Sequence, residues 1–127
     1  MGIPLTLISG YLGTGKTTLI NQLLRTTKKK IALLVNDFGD VNIDESLIES
    51  RTDSLLSIAG GCVCCSYGNK LIETLESMNS SEIQPDHIVL EASGIALPSK
   101  IIQTVSLMNF LSFHGTVLLA DASRIQA

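Results

Sequence analysis

Tryptophan is absent from this chain, and two tyrosines and three phenylalanines leave aromatics at only 4% of its 127 residues. The stacking platforms that hold unpaired bases are therefore missing. Positive charge is scarce as well: nine Lys and Arg against twelve Asp and Glu give a formal net charge of −3. A chain with neither aromatic platforms nor a basic stripe has little with which to hold nucleic acid, so none is expected as a partner. Its one basic run, Lys28 to Lys30, falls where the first helix should end, and there cations complement the helix dipole while staying solvated.

Long apolar runs are lacking too. "IALLV" (31–35) and "TVLLA" (116–120) are far shorter than the roughly 20 residues a membrane-spanning helix requires, so no membrane partner is expected. The opening "MGIPLTLISG" has no basic segment leading into a long apolar one, so no secretory signal is read and a cytoplasmic location is expected. What remains is 45% hydrophobic, enough to give one domain a real core.

Short β-rich runs alternate with helical stretches. "IPLTLIS" (3–9), "IALLVN" (31–36), "DHIVLEAS" (86–93) and "GTVLLADA" (115–122) read as strands, and "DSLLSI" (53–58) as a shorter one. Helices are expected over 16–27, 68–79 and 98–109, the first with Leu19, Ile20, Leu23 and Leu24 on one face, and a short one around Glu45–Ser50. Continuous Val/Ile/Leu strands are buried on both faces, so the pattern predicts a three-layer α/β/α domain around a mostly parallel sheet, occupying residues 1–127.

"GYLGTGKTT" (10–18) fits G-x-x-x-x-G-K-[ST] in full, with an expected strand before it and a helix after it. Glycines let backbone N–H groups converge on phosphate oxygens, so Gly10, Gly13, Thr14, Gly15, Lys16, Thr17 and Thr18 form a candidate nucleotide cradle. Lys16 would reach the β- and γ-phosphates, and the Thr17 hydroxyl would ligate Mg²⁺. A carboxylate is needed beside that cation. Glu91, near the end of "HIVLEAS", stands where such an acid belongs, and Asp37, just after the second strand, is a further candidate. Lys16, Asp37 and Glu91 are the expected catalytic residues, with Thr17, Asp37 and Glu91 at the metal. Asp121 also falls at a strand's carboxyl end, where ligands of α/β sheets gather, and is the weakest candidate.

All three cysteines fall within "GGCVCC" (60–65). An odd number, two of them adjacent, speaks against a disulfide, and the setting speaks against a thioredoxin-type redox motif. Soft thiolates favour Zn²⁺ or a similar ion, and the glycine pair would let Cys62, Cys64 and Cys65 gather round it. Three thiols buried as small hydrophobes is the alternative. His87 and His114 precede strands, which places them at the far edge of the sheet as packing or surface residues.

"GYLGTGKTTLI", "VNDFGDVNID", "GGCVCC", "VLEASGIALP" and "TVLLADA" together resemble, in order and spacing, the CobW-type P-loop GTPases, metallochaperone relatives of the nickel-insertion GTPases of urease and hydrogenase. The resemblance covers nearly the whole chain. It implies a P-loop GTPase that uses GTP and Mg²⁺, binds zinc or cobalt at Cys62, Cys64 and Cys65, and passes this divalent transition metal to a client protein. In "NDFG", Asp37 stands where the family usually carries Glu, which draws the charge back by one methylene. The family's guanine-reading N-K-x-D motif and C-terminal domain would lie beyond Ala127, so the chain is expected to be an incomplete domain. The edge this exposes is a route to a homo-oligomer. Two other classes fit the same motifs: a small-molecule kinase with a structural metal site, and a truncated, non-catalytic nucleotide-binding module.

Overall fold

A computed structural model describes residues 2–10, 15–80, 84–92 and 98–119. Its sheet is built from β1 (Ile3–Gly10), β2 (Ile31–Val35), β3 (Ile48–Arg51), β4 (Leu55–Ile58), β5 (Cys62–Ser66), β6 (His87–Ala92) and β7 (Leu111–Leu119). Three helices accompany them: α1 (Lys16–Thr26), α2 (Leu71–Ser80) and α3 (Pro98–Ser106). The strands lie in the order β3-β4-β5-β2-β6-β1-β7. From β5 across to β7 every pairing is parallel, whereas β3, β4 and β5 pair antiparallel.

Strand alternation divides the apolar residues into two layers. Leu5, Leu7, Leu34, Ile88 and Leu90 pack with Leu75 and Met78 of α2 and with Ile101 and Val105 of α3. On the other face Ile8, Leu33, Val35 and Val89 pack with Ile20 and Leu24 of α1 and with Val41 and Ile43 from the segment after β2. The expected three-layer α/β/α architecture with a mostly parallel sheet is therefore present, with α1 on one face and α2 and α3 on the other. β2 is buried at every position, as its unbroken apolar run requires.

Three local expectations need correction. The glycine pair was expected to let the cysteines gather round one ion, but they form a strand of their own. Gly60 and Gly61, at φ 83° and 84°, make the left-handed turn that feeds β5, which then pairs with β2 on one side and β4 on the other. Around Glu45–Ser50 only one 3₁₀ turn forms (Glu45–Leu47), and the chain then extends into β3, the exposed arm of a hairpin. Finally, α3 stops at Ser106 and β7 begins at Leu111, earlier than the run "GTVLLADA" suggests, because a bulge near Thr6 lets the strand continue through Gly115. Among the described residues no helix is long and apolar enough to cross a membrane.

Leu34 is fully buried in β2, between β5 and β6. Leu34→Ala is expected to lower the unfolding free energy by about 2–5 kcal/mol, read from a urea denaturation curve.

Candidate nucleotide and metal site

The carboxyl ends of β1, β2 and β6 bring the phosphate-loop candidates together. Gly10 ends β1, and α1 starts at Lys16 after Gly15, whose φ of 94° is left-handed. The first-turn N–H groups of Lys16, Thr17 and Thr18 have no partner within the helix itself, and the helix dipole favours an anion there. Gly13 and Thr14 lie outside the described residues, as do Gly94 and Asp121.

Lys16 and Glu91 meet at the centre of the site. Lys16 Nζ donates to Glu91 Oε1 at 2.6 Å, with side-chain exposures of 4% and 0%. The other carboxylate oxygen, Oε2, is buried without a hydrogen-bond partner among the described residues. An orphaned, buried carboxylate oxygen beside the phosphate loop is a ready ligand for a hard divalent cation, and Mg²⁺ fits this donor set. Thr17, half-buried in the first turn of α1, would add its hydroxyl, and Glu91 a carboxylate. Tyr67 fixes the end of β6 by donating its hydroxyl proton to the Glu91 backbone carbonyl at 3.0 Å. Asp37 is exposed just beyond β2, where its Oδ1 accepts the Gly39 N–H at 2.8 Å.

A residue the sequence reading passed over ties this loop to its neighbour. Asn21, one turn along α1 from Thr17, is buried among apolar residues. Its amide nitrogen donates to the backbone oxygens of Thr17 (3.1 Å) and Asn42 (2.9 Å), and its Oδ1 accepts the Asp44 N–H at 2.8 Å. Asp44 also pairs with Arg25 of α1 and accepts from Ser46, and these bonds, chiefly the one from the Ser46 backbone, lower its carboxyl below the ordinary range. Helix α1 and residues 42–46 therefore form one hydrogen-bonded unit. The signal was slight: one amide beside Ile20 in an otherwise apolar stripe.

The three cysteines do not converge. Cys62 and Cys64 face the α1 layer, whereas Cys65 faces the α2 and α3 layer. Their burial matches the alternative of small hydrophobic thiols, and Cys62 Sγ accepts the Ile31 N–H at 3.3 Å. Burial, with smaller contributions from Cys65 and Glu91, pushes the Cys64 thiol up to about 12, and burial pushes Cys65 to about 11. Among the described residues no group of three or more His, Cys, Asp or Glu side chains could hold a metal ion. The thiols are free of disulfides.

His87 opens β6 at the amino end of the sheet, where the sequence placed it, whereas His114, expected before its strand, lies within β7 at the register shift opposite Leu5 and Thr6. His87 Nε2 is 2.7 Å from Thr6 Oγ1, and its ring meets that of His114 edge-on at 5.9 Å. Burial, then His114 and Lys29, lowers the His87 pKa, so it is neutral at pH 7. It borders an apolar groove of about 350 Å³ lined by Ile8, Leu19, Leu23 and Val117.

The profile of the CobW/HypB/UreG nucleotide-binding domain matches residues 4–127. The chain belongs to this family. Similar family members include the zinc chaperone YjiA of Escherichia coli K12, 38% identical over 94% of this chain and 41% of that protein. The zinc chaperone CobW of a Sinorhizobium species is 33% identical over 98% of this chain and 38% of its own length. The zinc-regulated GTPase metalloprotein activator 1 of Saccharomyces cerevisiae is 35% identical over 97% and 31% respectively. The chain thus spans well under half the length of these family members. The crystal structure of Zn(II)-bound YjiA GTPase superposes with a TM-score of 0.69 at 34% identity, covering 97% of this chain and 42% of that one. A Zn(II)-bound triple mutant of YjiA, with one glutamate and two cysteines replaced by alanine, gives the same TM-score at 33% identity over 96% and 41%.

Two outcomes are expected from this geometry. Asn21→Ala should cost about 1–3 kcal/mol in stability, because it strands the Asp44 N–H and the Asn42 carbonyl, and amide exchange should quicken at 42–46 but not in β2 or β6. In alkali, the unfolded thiols ionise from about pH 9.0 while the folded Cys64 stays protonated to about 12. Its contribution to stability is present in full below pH 9 and is lost as the pH climbs towards 12. Denaturation curves of Cys64→Ala should therefore decline less steeply over that window than those of the parent.

Proposed function

We propose that this chain is the nucleotide-binding part of a GTP-driven metallochaperone. It binds GTP with Mg²⁺, hydrolyses it, and carries a divalent transition metal, zinc or cobalt, to a client protein. One observation carries this reading: the Lys16–Glu91 pair at the phosphate loop shares a sheet face with Cys62 and Cys64, and the Glu91 charge is felt at Cys64. The names of the similar family members, zinc chaperones and zinc-regulated GTPases, favour GTP and zinc over other ligands.

Lys16 and the start of α1 would hold the phosphates, with Thr17, Glu91 and Asp37 at the cation. A Mg²⁺ ion held by these residues would supply positive charge to offset that developing on the phosphates. Asp37 or Glu91 would orient the attacking water. Residues 36–53 are the natural switch between nucleotide and cysteines. Since Asn21 fixes 42–46, the moving part is the short stretch from Asn36 to about Val41. Zinc held by all three thiols requires them to lose their protons and β5 to rearrange. Reduced thiols suit a cytoplasmic protein, and the β7 edge suits self-association.

A second reading also has an observation behind it. Buried, protonated thiols on opposite faces suit a nucleotide-binding module or kinase in which the cysteines only pack. Zinc competition on the reduced protein separates the two, run with Mg²⁺ and a non-hydrolysable GTP analogue, the matching ATP analogue, GDP or no nucleotide. The carrier reading expects the GTP analogue alone to tighten zinc binding. It also expects Lys16→Ala to abolish nucleotide binding, and Cys64→Ala to keep nucleotide but lose zinc. Equal zinc affinity in every state would make the metal structural, as in the kinase alternative, and no zinc binding at all would favour cysteines that only pack.

A further inference from the structure

Just beyond β5, one side chain ties the cysteine strand to the phosphate site. The Tyr67 N–H donates to the Val35 carbonyl at 2.9 Å, and the Gly68 N–H donates to that of Asn36 at 3.0 Å. Ser66 Oγ donates to the same Asn36 oxygen at 3.1 Å, so the end of β5 is pinned to the end of β2. The Tyr67 ring lies buried with Cys65, Leu34 and Leu90, and its hydroxyl reaches past β2 to the Glu91 carbonyl of β6 at 3.0 Å. The ladder of β2 with β6 ends at Leu34↔Leu90, one residue short of Glu91, and the hydroxyl carries the tie onward. We propose that Tyr67 is a positioning residue that couples the two ligands: its hydroxyl holds β5 in the metal-free form until nucleotide loosens it. This deepens the carrier reading given above and rests on it.

Cys64 and Cys65 face opposite layers, so a metal shared by the thiols requires β5 to take up an extra residue. A shift of one residue turns every side chain beyond it to the other face of the sheet. Tyr67 then leaves the layer of α2 and α3, and its hydroxyl loses the Glu91 carbonyl. The bond therefore opposes the metal. At its other end, a nucleotide that draws Lys16 to its phosphates removes the partner that holds the Glu91 side chain. The strand end is then free to shift and the carbonyl shifts with it, so the bond opposes the metal less. Both ligands act on one hydrogen bond, and by linkage each favours the other to the same extent.

The test is zinc competition on the reduced chain, as wild type and as Tyr67→Phe, without nucleotide and with Mg²⁺ plus a non-hydrolysable GTP analogue. Wild type is expected to bind zinc about tenfold more tightly with the analogue. Tyr67→Phe keeps the ring and loses only the hydroxyl. Without nucleotide it is expected to bind zinc about threefold to tenfold more tightly than wild type, and with the analogue equally tightly. A hydroxyl that only stabilised the fold would give no such gain. Unchanged or weaker zinc binding by folded Tyr67→Phe without nucleotide therefore overturns the proposal and leaves the carrier reading standing. Wild-type affinity that is equal in both states, or no zinc bound in either, would refute the carrier reading and this inference with it. If Tyr67→Phe does not fold, wild type decides: the NMR signal of the Glu91 carbonyl carbon should move when zinc is added, as its hydrogen bond is lost. A signal that stays in place puts the rearrangement at the Gly60–Gly61 turn instead and overturns the proposal.

Discussion

The buried contact between Lys16 and Glu91 is the constraint around which the rest of the site is arranged. Two charges removed from water are tolerated only while each faces the other. That fixes β6 opposite the start of α1, and α1 in turn carries Asn21 and Arg25, which hold the segment after β2. The sheet order serves the same end. By placing β6 between β1 and β2, it sets the acid beside the phosphate loop, and both lie at the carboxyl edge, where α/β sheets receive ligands.

Much of this was legible in the sequence because the signals were local and physically compulsory. "GYLGTGKTT" between an apolar run and a helical pattern leaves few alternatives, and the distant acid that the sequence offered for the cation, at the end of "HIVLE", lies against Lys16. Unbroken apolar runs marked β1, β2 and β6 because strands with helices on both sides have no wet face. His87 was placed by counting residues along β6, whereas His114 falls inside β7 because that strand starts earlier than its apolar run.

What escaped was decided by partners distant in the chain. Nothing in "CVCCS" alone reveals a strand, since its extended form depends on finding β2 and β4 on either side. β3 was hidden for a related reason, although its partner β4 was expected within "DSLLSI": "IESR" is polar and short, and propensity is weak for an exposed edge. Asn21 escaped because its value lies in three backbone groups, two of them about twenty residues away, which no periodicity predicts.

The alternation of β5 has a consequence for the outline of the molecule. Neighbouring side chains of a strand point to opposite faces, so Cys64 and Cys65 cannot ligate one ion while β5 keeps its ladder with β2 and β4. Closing all three thiols on a single centre demands a bulge or a break near Cys64, and a bulge bends and twists the strand that bears it. β4, and β3 beyond it, hang from β5 alone on that side of the sheet. A metal held in that way would thus be written into the tilt of an exposed hairpin, where another protein could read the cargo by shape without ever touching it.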